Sequence, residues 1–216
     1  MAWATDRDLL AFEPAVFGRV AWLGQRLVSG TGSLAAGELV MSAQDVAFDA
    51  AGVGAGHVAI VDGAAHEVVA RVDGQRLTLS RLRGSVDDDS ITPADETDAA
   101  VVVSTFAPQI ADVHRRVVAM LGLTGSSIGE EGGGPTESSV TNGGELVRLE
   151  ALGALHLVFA GAAATTRGES VEWQKSEWYR GRFDEERRRA VARLDTDGDG
   201  VADAVRRPSA LRLVRV

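Results

Sequence analysis

Apolar residues recur with two different periods along this chain, and the first of them predicts β-strands. Short apolar runs occupy residues 39–41, 46–48, 58–61, 68–72 and 77–82. Asp62-Gly63 and Asp73-Gly74 separate the last three runs. Asp-Gly pairs supply the positive φ angles that tight hairpin turns need. We therefore predict a small antiparallel β-meander or barrel over residues 36–84.

The N-terminal segment, residues 1–35, is expected to be mainly helical. Thr5 and Asp8 have the spacing of a capping box. In a capping box the first side chain caps the start of the helix, and the second accepts a hydrogen bond from the backbone amide of the first residue. The apolar period over residues 17–23 fits a helix or a strand equally well. Residues 29–33 read Ser-Gly-Thr-Gly-Ser, which predicts a turn or short linker.

The second half of the chain has mostly helical periodicity. A short strand is predicted over residues 99–105, and an amphipathic helix follows it, with apolar side chains at Ile110, Val113, Val117 and Leu121. Two more helices are predicted over about 145–163 and 169–194. Their apolar stripes are Leu146, Leu149, Leu152, Leu155 and Phe159 in the first, and Tyr179, Phe183, Ala190 and Leu194 in the second.

The main break in composition is a Gly/Ser-rich stretch over residues 124–145, which we predict to be a flexible loop. The fold class is accordingly α+β, with a helical core, an inserted β-meander or barrel, and a C-terminal helix pair. The predicted segments are residues 1–35 (helical), 36–84 (β), 85–123 (strand plus helix), 124–145 (flexible loop) and 146–216 (helical hairpin, Asp-rich loop and tail).

Composition and charge exclude several classes of function. The chain has 216 residues and no cysteine, so disulfides, thiolate metal sites and cysteine nucleophiles are absent. Its net charge of −9 disfavours nucleic acid and anionic membranes as partners, except at a local basic patch. The longest apolar stretch, 151–164, is too short to span a bilayer. The N-terminus has no signal-peptide pattern, and we expect a soluble protein made in the cytoplasm.

The strongest chemical motif is an Asp-rich loop that resembles the start of an EF-hand. Oxygen ligands for Ca²⁺ are expected at loop positions 1, 3, 5, 7 and 9, which are Asp195, Asp197, Asp199, Val201 (through its carbonyl) and Asp203. Gly200 permits the sharp turn at position 6. Arg206 stands at position 12, where an EF-hand has its bidentate Glu. The alternative is an Asp-Gly turn that caps the preceding helix without an ion.

Three other sequence features are weaker indications of function. Six arginines between 180 and 193 predict either a solvated helix face or a contact with nucleic-acid phosphates or an acidic protein surface. Residues 125–129 match Gly-x-Ser-x-Gly, but a glycine-rich stretch follows in place of the helix that a nucleophile elbow requires. The four histidines are dispersed, without metal-ligand spacing. We expect no enzymatic activity.

The overall pattern resembles the head–tail connector, or adaptor, proteins of tailed bacteriophages and gene-transfer particles. The likeness is carried by the opening Ala-Thr-Asp-Arg-Asp-Leu-Leu at 4–10, by Thr-Phe-Ala-Pro-Gln-Ile at 105–110 before a helix, and by Leu-Glu-Ala-Leu-Gly-Ala-Leu at 149–155. Lys175, Tyr179 and Phe183 are similar to the second of the paired helices found late in those adaptors. The β segment departs from their mostly helical pattern and would be an insertion.

The resemblance implies a structural virion protein in the neck, assembled in the host cytoplasm. Such a protein forms a ring of identical subunits between the portal protein and the tail or stopper proteins. The Arg-rich helix would then face packaged DNA or the negative wall of a neighbouring ring. In the tail, residues 211–216, apolar and basic side chains partly alternate as in a strand. Such a strand would pair with a neighbour's sheet or complete the sheet of its own chain. The alternatives are another neck, tail or baseplate subunit, or a stand-alone calcium-binding interaction module.

Overall fold

The chain forms two compact units in a computed structural model, which describes residues 2–19, 25–123, 134–165 and 170–209. The first, here called the barrel unit, is Thr5–Ala107. The second, here called the helical unit, combines residues 2–4 with the described residues from Pro108 onward. The predicted mixture of helices and strands, with a small antiparallel barrel, is confirmed.

The barrel unit is built around six antiparallel strands that close on themselves. They are β1 (Arg26–Ala35), β2 (Glu38–Gln44), β3 (Val58–Val61), β4 (Ala64–Arg71), β5 (Arg76–Ser80) and β6 (Glu96–Ser104). Their order around the barrel is β1-β2-β5-β4-β3-β6, and β1 pairs with β6 to complete it. Two short helices, α1 (Asp6–Phe12) and α2 (Val16–Arg19), precede the strands.

Two-residue turns connect two of the hairpins, and their backbone explains the sequence signal. Asp62 and Gly63 have φ of 45° and 85° between β3 and β4, where Val61 pairs with Ala64. Positive φ at both central residues is the requirement of a type I′ turn. Ala36 and Gly37, with φ of 50° and 84°, make the same kind of turn between β1 and β2. The prediction of a hairpin at Asp62-Gly63 is confirmed. Asp73-Gly74 also lies in a hairpin connection, between β4 and β5, but that connection has four residues and neither Asp73 nor Gly74 has positive φ.

Residues 29–33 lie within strand β1 of the barrel wall, so the prediction of a turn or short linker there is wrong. A β-carbon on Gly30 would lie 2.0 Å from the carbonyl oxygen of Ala43, and one on Gly32 would lie 2.7 Å from that of Val40. The pairing register with β2 also shifts between Thr31 and Gly32. Glycine within a strand marks such a close approach or bulge. The barrel therefore begins before residue 36, and residues 26–35 of the segment expected to be mainly helical form a strand.

The barrel interior is filled with apolar side chains from every strand. Fully buried examples are Val28, Leu34, Leu39, Ala59, Leu77 and Val103. Residues 46–48 do not form the predicted strand, since they lie in the turn region after β2. Phe48 nevertheless belongs to the barrel core, with 0% of its surface exposed. An apolar run can thus indicate burial without indicating a strand.

Helix α1 is attached to the barrel by polar contacts that the sequence only partly predicts. The capping box of Thr5 and Asp8 is confirmed, and the Thr5 amide donates to the Asp8 carboxylate at 2.8 Å. Arg7 donates from Nε to the fully buried carboxylate of Glu67 on β4 at 2.5 Å, and Arg83 donates to the other oxygen of Glu67. Pairing on both oxygens offsets the cost of removing this carboxylate from water.

The helical unit contains three long helices and a two-stranded hairpin. Its elements are α3 (Ala107–Met120), which begins at the unit boundary, a 3-10 turn (Glu137–Ser139), α4 (Gly143–Ala163), α5 (Val171–Arg189), β7 (Ala192–Leu194) and β8 (Ala204–Arg206). The five apolar side chains predicted to share one side of α4 are all buried. A β-carbon on Gly153 would lie 2.7 Å from Val113 and 3.0 Å from Phe183, so this glycine lets α4 pack closely against α3 and α5.

The end of the last helix differs from the prediction. Helix α5 begins after Ser170, whose hydroxyl accepts from the Trp173 amide, and it ends at Arg189 rather than near residue 194. Residues 192–194 form β7, which pairs with β8. Leu194 is fully buried through this strand and not through a helical stripe. The predictions for residues 20–23, 124–133 and 211–216 fall outside the described residues.

Helix α4 is long and apolar enough to cross a membrane, judged by length and composition alone. In its most apolar window, 61% is buried within the protein. Core helices of globular proteins have the same composition.

Replacing Gly30 by alanine tests the close approach of β1 and β2. We expect Gly30→Ala to lower the free energy of unfolding by about 1–3 kcal/mol or more, because the new methyl group must displace strand backbone. The control is Gly54→Ala in the same unit, where a β-carbon meets no atom within 4 Å. Urea denaturation measures both changes. Equal effects at the two glycines would contradict the close approach.

Candidate functional site

The Asp-rich loop connects the two strands of the β7–β8 hairpin. One carboxylate oxygen each from Asp195, Asp197 and Asp199 lies within 4.8 Å of the others. Asp197 and Asp199 are exposed, and Asp195 is half-buried. Hard cations such as Ca²⁺ prefer such oxygen ligands, so these three side chains have the chemistry and spacing to hold one. The structure thus brings together three of the five ligands that the motif predicts.

Backbone amides stabilise the loop through the same carboxylates. Asp195 accepts from the Gly198 amide at 2.7 Å and from the Gly200 amide at 2.8 Å, and both glycines have positive φ. These hydrogen bonds hold the pKa of Asp195 below its ordinary value. Asp199 accepts from the Val201 amide at 2.7 Å. The carboxylate of Asp195 is therefore ionised at neutral pH and already oriented within the loop.

Two of the five predicted ligands lie apart from this cluster. Asp203 accepts from the hydroxyl of Thr196 at 2.6 Å and from its amide at 3.2 Å, so its carboxylate closes the base of the hairpin. Val201 is 66% exposed, and the structure shows its amide, rather than its carbonyl, in contact with the loop. The loop also joins two strands, so it does not cap α5 as the alternative interpretation expected.

Arg206, at the position of the missing closing Glu, has a structural role of its own. Its guanidinium donates to the carbonyl oxygens of Leu121 and Gly122 at 2.8 and 2.5 Å. These residues follow the end of α3, where carbonyl groups lack partners within the helix. Arg206 therefore attaches the hairpin to the end of α3 and does not turn toward the Asp cluster.

A second polar site, which the sequence analysis missed, lies inside the helical unit. The side chain of Glu150 on α4 is completely buried. One oxygen accepts from the backbone amides of Trp3 and Ala4, both at 2.8 Å, and the other lies 2.5 Å from Nδ1 of His114 on α3. A buried carboxylate thus connects the N-terminal residues to two helices. The available signal was a lone acidic residue within the apolar period of α4.

His114 continues this network toward the surface. Its Nε2 lies 3.1 Å from a carboxylate oxygen of Glu137, which is partly exposed. The Trp3 ring packs edge-on against the imidazole, with 4.7 Å between centroids. A β-carbon on Gly143 would lie 2.5 Å from the Trp3 ring, so glycine is needed where this ring meets the start of α4. One of the four dispersed histidines, His114, therefore contacts Glu150, Glu137 and Trp3.

Burial raises the pKa of Glu150 above its ordinary value, although the amides and His114 act in the opposite direction. A carboxylate removed from water loses more hydration than these partners return. The folded protein consequently holds the Glu150 proton more tightly than the unfolded chain. The contribution of Glu150 to stability therefore falls as the pH rises from the ordinary glutamate pKa, 4.5, through the raised value.

The Arg-rich segment divides between ion pairs and an exposed surface. Arg187 pairs with Asp184, Arg189 with Glu185, and Arg148 of α4 with Glu186. Arg182 lies over the ring of Trp178, 5.2 Å from its centroid. Trp178 itself is 56% exposed. The helix is thus held against α4 on one side and presents an aromatic and basic surface on the other.

Substitution of Glu150 tests the buried network. We expect Glu150→Ala to lower the free energy of unfolding by roughly 2–4 kcal/mol, because two buried amides and His114 lose their acceptor. Glu150→Gln keeps an acceptor oxygen for the amides and is expected to cost less at neutral pH. It also removes the ionisation of the carboxyl, so the fall in stability above pH 4.5 should be shallower than in the wild type. Urea denaturation at several pH values measures both effects, and identical costs for the two variants would contradict this account.

No protein-family model, curated protein or solved structure matches this chain.

Proposed function

We propose that this protein is a structural subunit of a tailed bacteriophage or related gene-transfer particle. In this role it forms a ring of identical copies at the head–tail interface, between the portal protein and the tail or stopper proteins. It acts by binding its neighbours and carries out no reaction. It assembles in the host cytoplasm and resides in the neck of the virion.

The observation that carries this proposal is the late helix pair. The residues that resemble a connector include Leu149–Leu155 of α4 and Tyr179 and Phe183 of α5. Phe159 and Tyr179 stack at 5.7 Å with an angle of 4° between their planes, and Lys175 lies over the Phe159 ring at 5.1 Å. Helix α5 packs on α4 through these residues and leaves two tryptophans exposed. Large exposed apolar side chains are typical of surfaces that bind other proteins.

A ring also requires two different surfaces on one chain, because its contacts are head-to-tail. The charge distribution provides a difference of this kind. Residues 5–107 carry 15 acidic and seven basic side chains, whereas the rest of the chain carries 16 and 15. The barrel unit is therefore strongly acidic and the helical unit nearly neutral. The same features suit a neck, tail-terminator or baseplate subunit, which is the second candidate.

The copy number of this chain in purified particles tests the proposal. We expect about a dozen copies per particle, which fits one closed ring at a unique vertex. Quantitative mass spectrometry of density-banded particles measures this number, with the major shell protein as the internal reference. A much higher number would assign the chain to the tail tube or shell. Absence from intact particles would overturn the structural role.

We further propose that the cluster of Asp195, Asp197 and Asp199 binds Ca²⁺ and stabilises the β7–β8 hairpin. The cluster itself favours this, as does the orientation of Asp195 by two amides. Affinity is expected to be low, with a Kd of about 0.1–1 mM, because no bidentate glutamate closes the site. A stand-alone calcium-binding module would share this property, so binding alone does not identify the connector.

A calcium titration of the thermal midpoint tests the loop. We expect about 10 mM Ca²⁺ to raise the midpoint of the wild type by a few degrees. Asp197→Asn should remove most of that rise, because it deletes one of three clustered carboxylates. Asp203→Asn is the matched control, since Asp203 is bound to Thr196 and should leave the calcium response intact. A rise that persists in Asp197→Asn would contradict the site.

A further inference from the structure

The outer surface of α5 carries the two exposed tryptophans of the described residues. Trp173 is 47% exposed and Trp178 is 56% exposed, and Val171 nearby is 48% exposed. Burying one such side chain is worth roughly 1.5–3 kcal/mol relative to leaving it in water. Tryptophan and arginine are also the residues that most often dominate protein–protein binding. This surface therefore has the composition of an interface.

Helical spacing places the central members of this surface together. Val171, Gln174, Trp178 and Gly181 follow one another at intervals of three and four residues, so they share one side of α5. All four are exposed, whereas Ser176 and Tyr179 are buried toward the opposite side. We call these four residues, together with Arg182 stacked on Trp178, the tryptophan face. A β-carbon on Gly181 would meet no atom within 4 Å, so the surface at this position is open.

The barrel unit offers a surface of complementary charge. Six carboxylates occur between residues 87 and 98, and all six residues are exposed: Asp87, Asp88, Asp89, Asp95, Glu96 and Asp98. We call residues 87–98 the acidic segment. Asp88 and Asp95 each accept one backbone amide, from Ser85 and Ala36. Residues 87–98 include no Lys, Arg or His, so this segment attracts the basic side chains of a partner.

We propose that the tryptophan face of one copy binds the acidic segment of the next copy. This inference rests on the proposed ring, and it names the two surfaces that meet at each subunit contact. Trp178 and Val171 supply the apolar centre, while Arg182 and the exposed Arg188 face the carboxylates. Because the two surfaces differ, the contact is head-to-tail and repeats from copy to copy until the ring closes. Charge complementarity selects this occupant over DNA, which the acidic barrel unit would repel.

Site-directed cross-linking tests the contact directly, because the natural chain has no cysteine. One preparation carries Gln174→Cys in the tryptophan face, and a second, size-tagged preparation carries Asp89→Cys in the acidic segment. The two are mixed and treated with a short bismaleimide. We expect mixed dimers at a yield several-fold above that of a control in which the second preparation carries Val40→Cys, at another exposed position on the barrel (44% exposed).

Two further variants identify the interaction. Adding Trp178→Ala to the Gln174→Cys chain should reduce the mixed dimer to the level of the Val40→Cys control, with an unchanged thermal midpoint since Trp178 is mostly exposed. Trp178→Phe should retain most of the yield. Raising the salt concentration should lower the yield, because the contact pairs arginines with carboxylates.

Three results would overturn the proposal. Equal yields at Asp89→Cys and Val40→Cys would show that the acidic segment is not the partner. Dominant dimers between two Gln174→Cys chains would show that the tryptophan face binds itself. Retention of duplex DNA by the wild type, lost in Arg182→Glu, would assign the face to DNA. If the cross-link fails but particles contain about a dozen copies of the chain, only this contact is refuted. If the cross-link forms but particles lack the chain, only the connector role is refuted.

Discussion

Closure of the barrel depends on one strand that must pair on both of its edges. β1 contacts β2 on one side and β6 on the other, and its neighbours approach so closely at Gly30 and Gly32 that no side chain fits there. Without this closure β6 would pair with β3 alone, and the barrel core would open to water along the edge between β1 and β6. The N-terminal helix α1 is then held on the closed barrel by Arg7 and Glu67.

The helical unit depends in a comparable way on a single buried carboxylate. Glu150 binds the amides of residues 3 and 4 and the imidazole of His114, so three distant parts of the sequence meet at one side chain. The helices α4 and α5 supply the apolar core around it. Once this core is formed, the tryptophan face of α5 and the Asp-rich loop between β7 and β8 remain accessible. The proposed subunit contact uses the first, and the proposed calcium site uses the second.

The sequence predicts this fold well where the signal is local. The capping box, the Asp62-Gly63 hairpin, helix α4 and the Asp cluster each depend on neighbouring residues, and each is present. It fails where distant residues decide the outcome. The glycines of β1 looked like a linker because their close contacts come from Ala43 and Val40, and Glu150 looked incidental because its partners are far away in the chain. Arg206 departs from the EF-hand pattern because it binds the end of α3.

In the proposed ring, the acidic barrel unit of one copy binds the tryptophan face of the next copy. Electron cryo-microscopy of the head–tail vertex of intact particles tests that claim most directly. The expected result is a closed ring between portal and tail, in which each subunit shows a six-stranded barrel and a pair of long helices, with α5 against the barrel of the next copy. A fully resolved vertex whose densities exclude this barrel would contradict it.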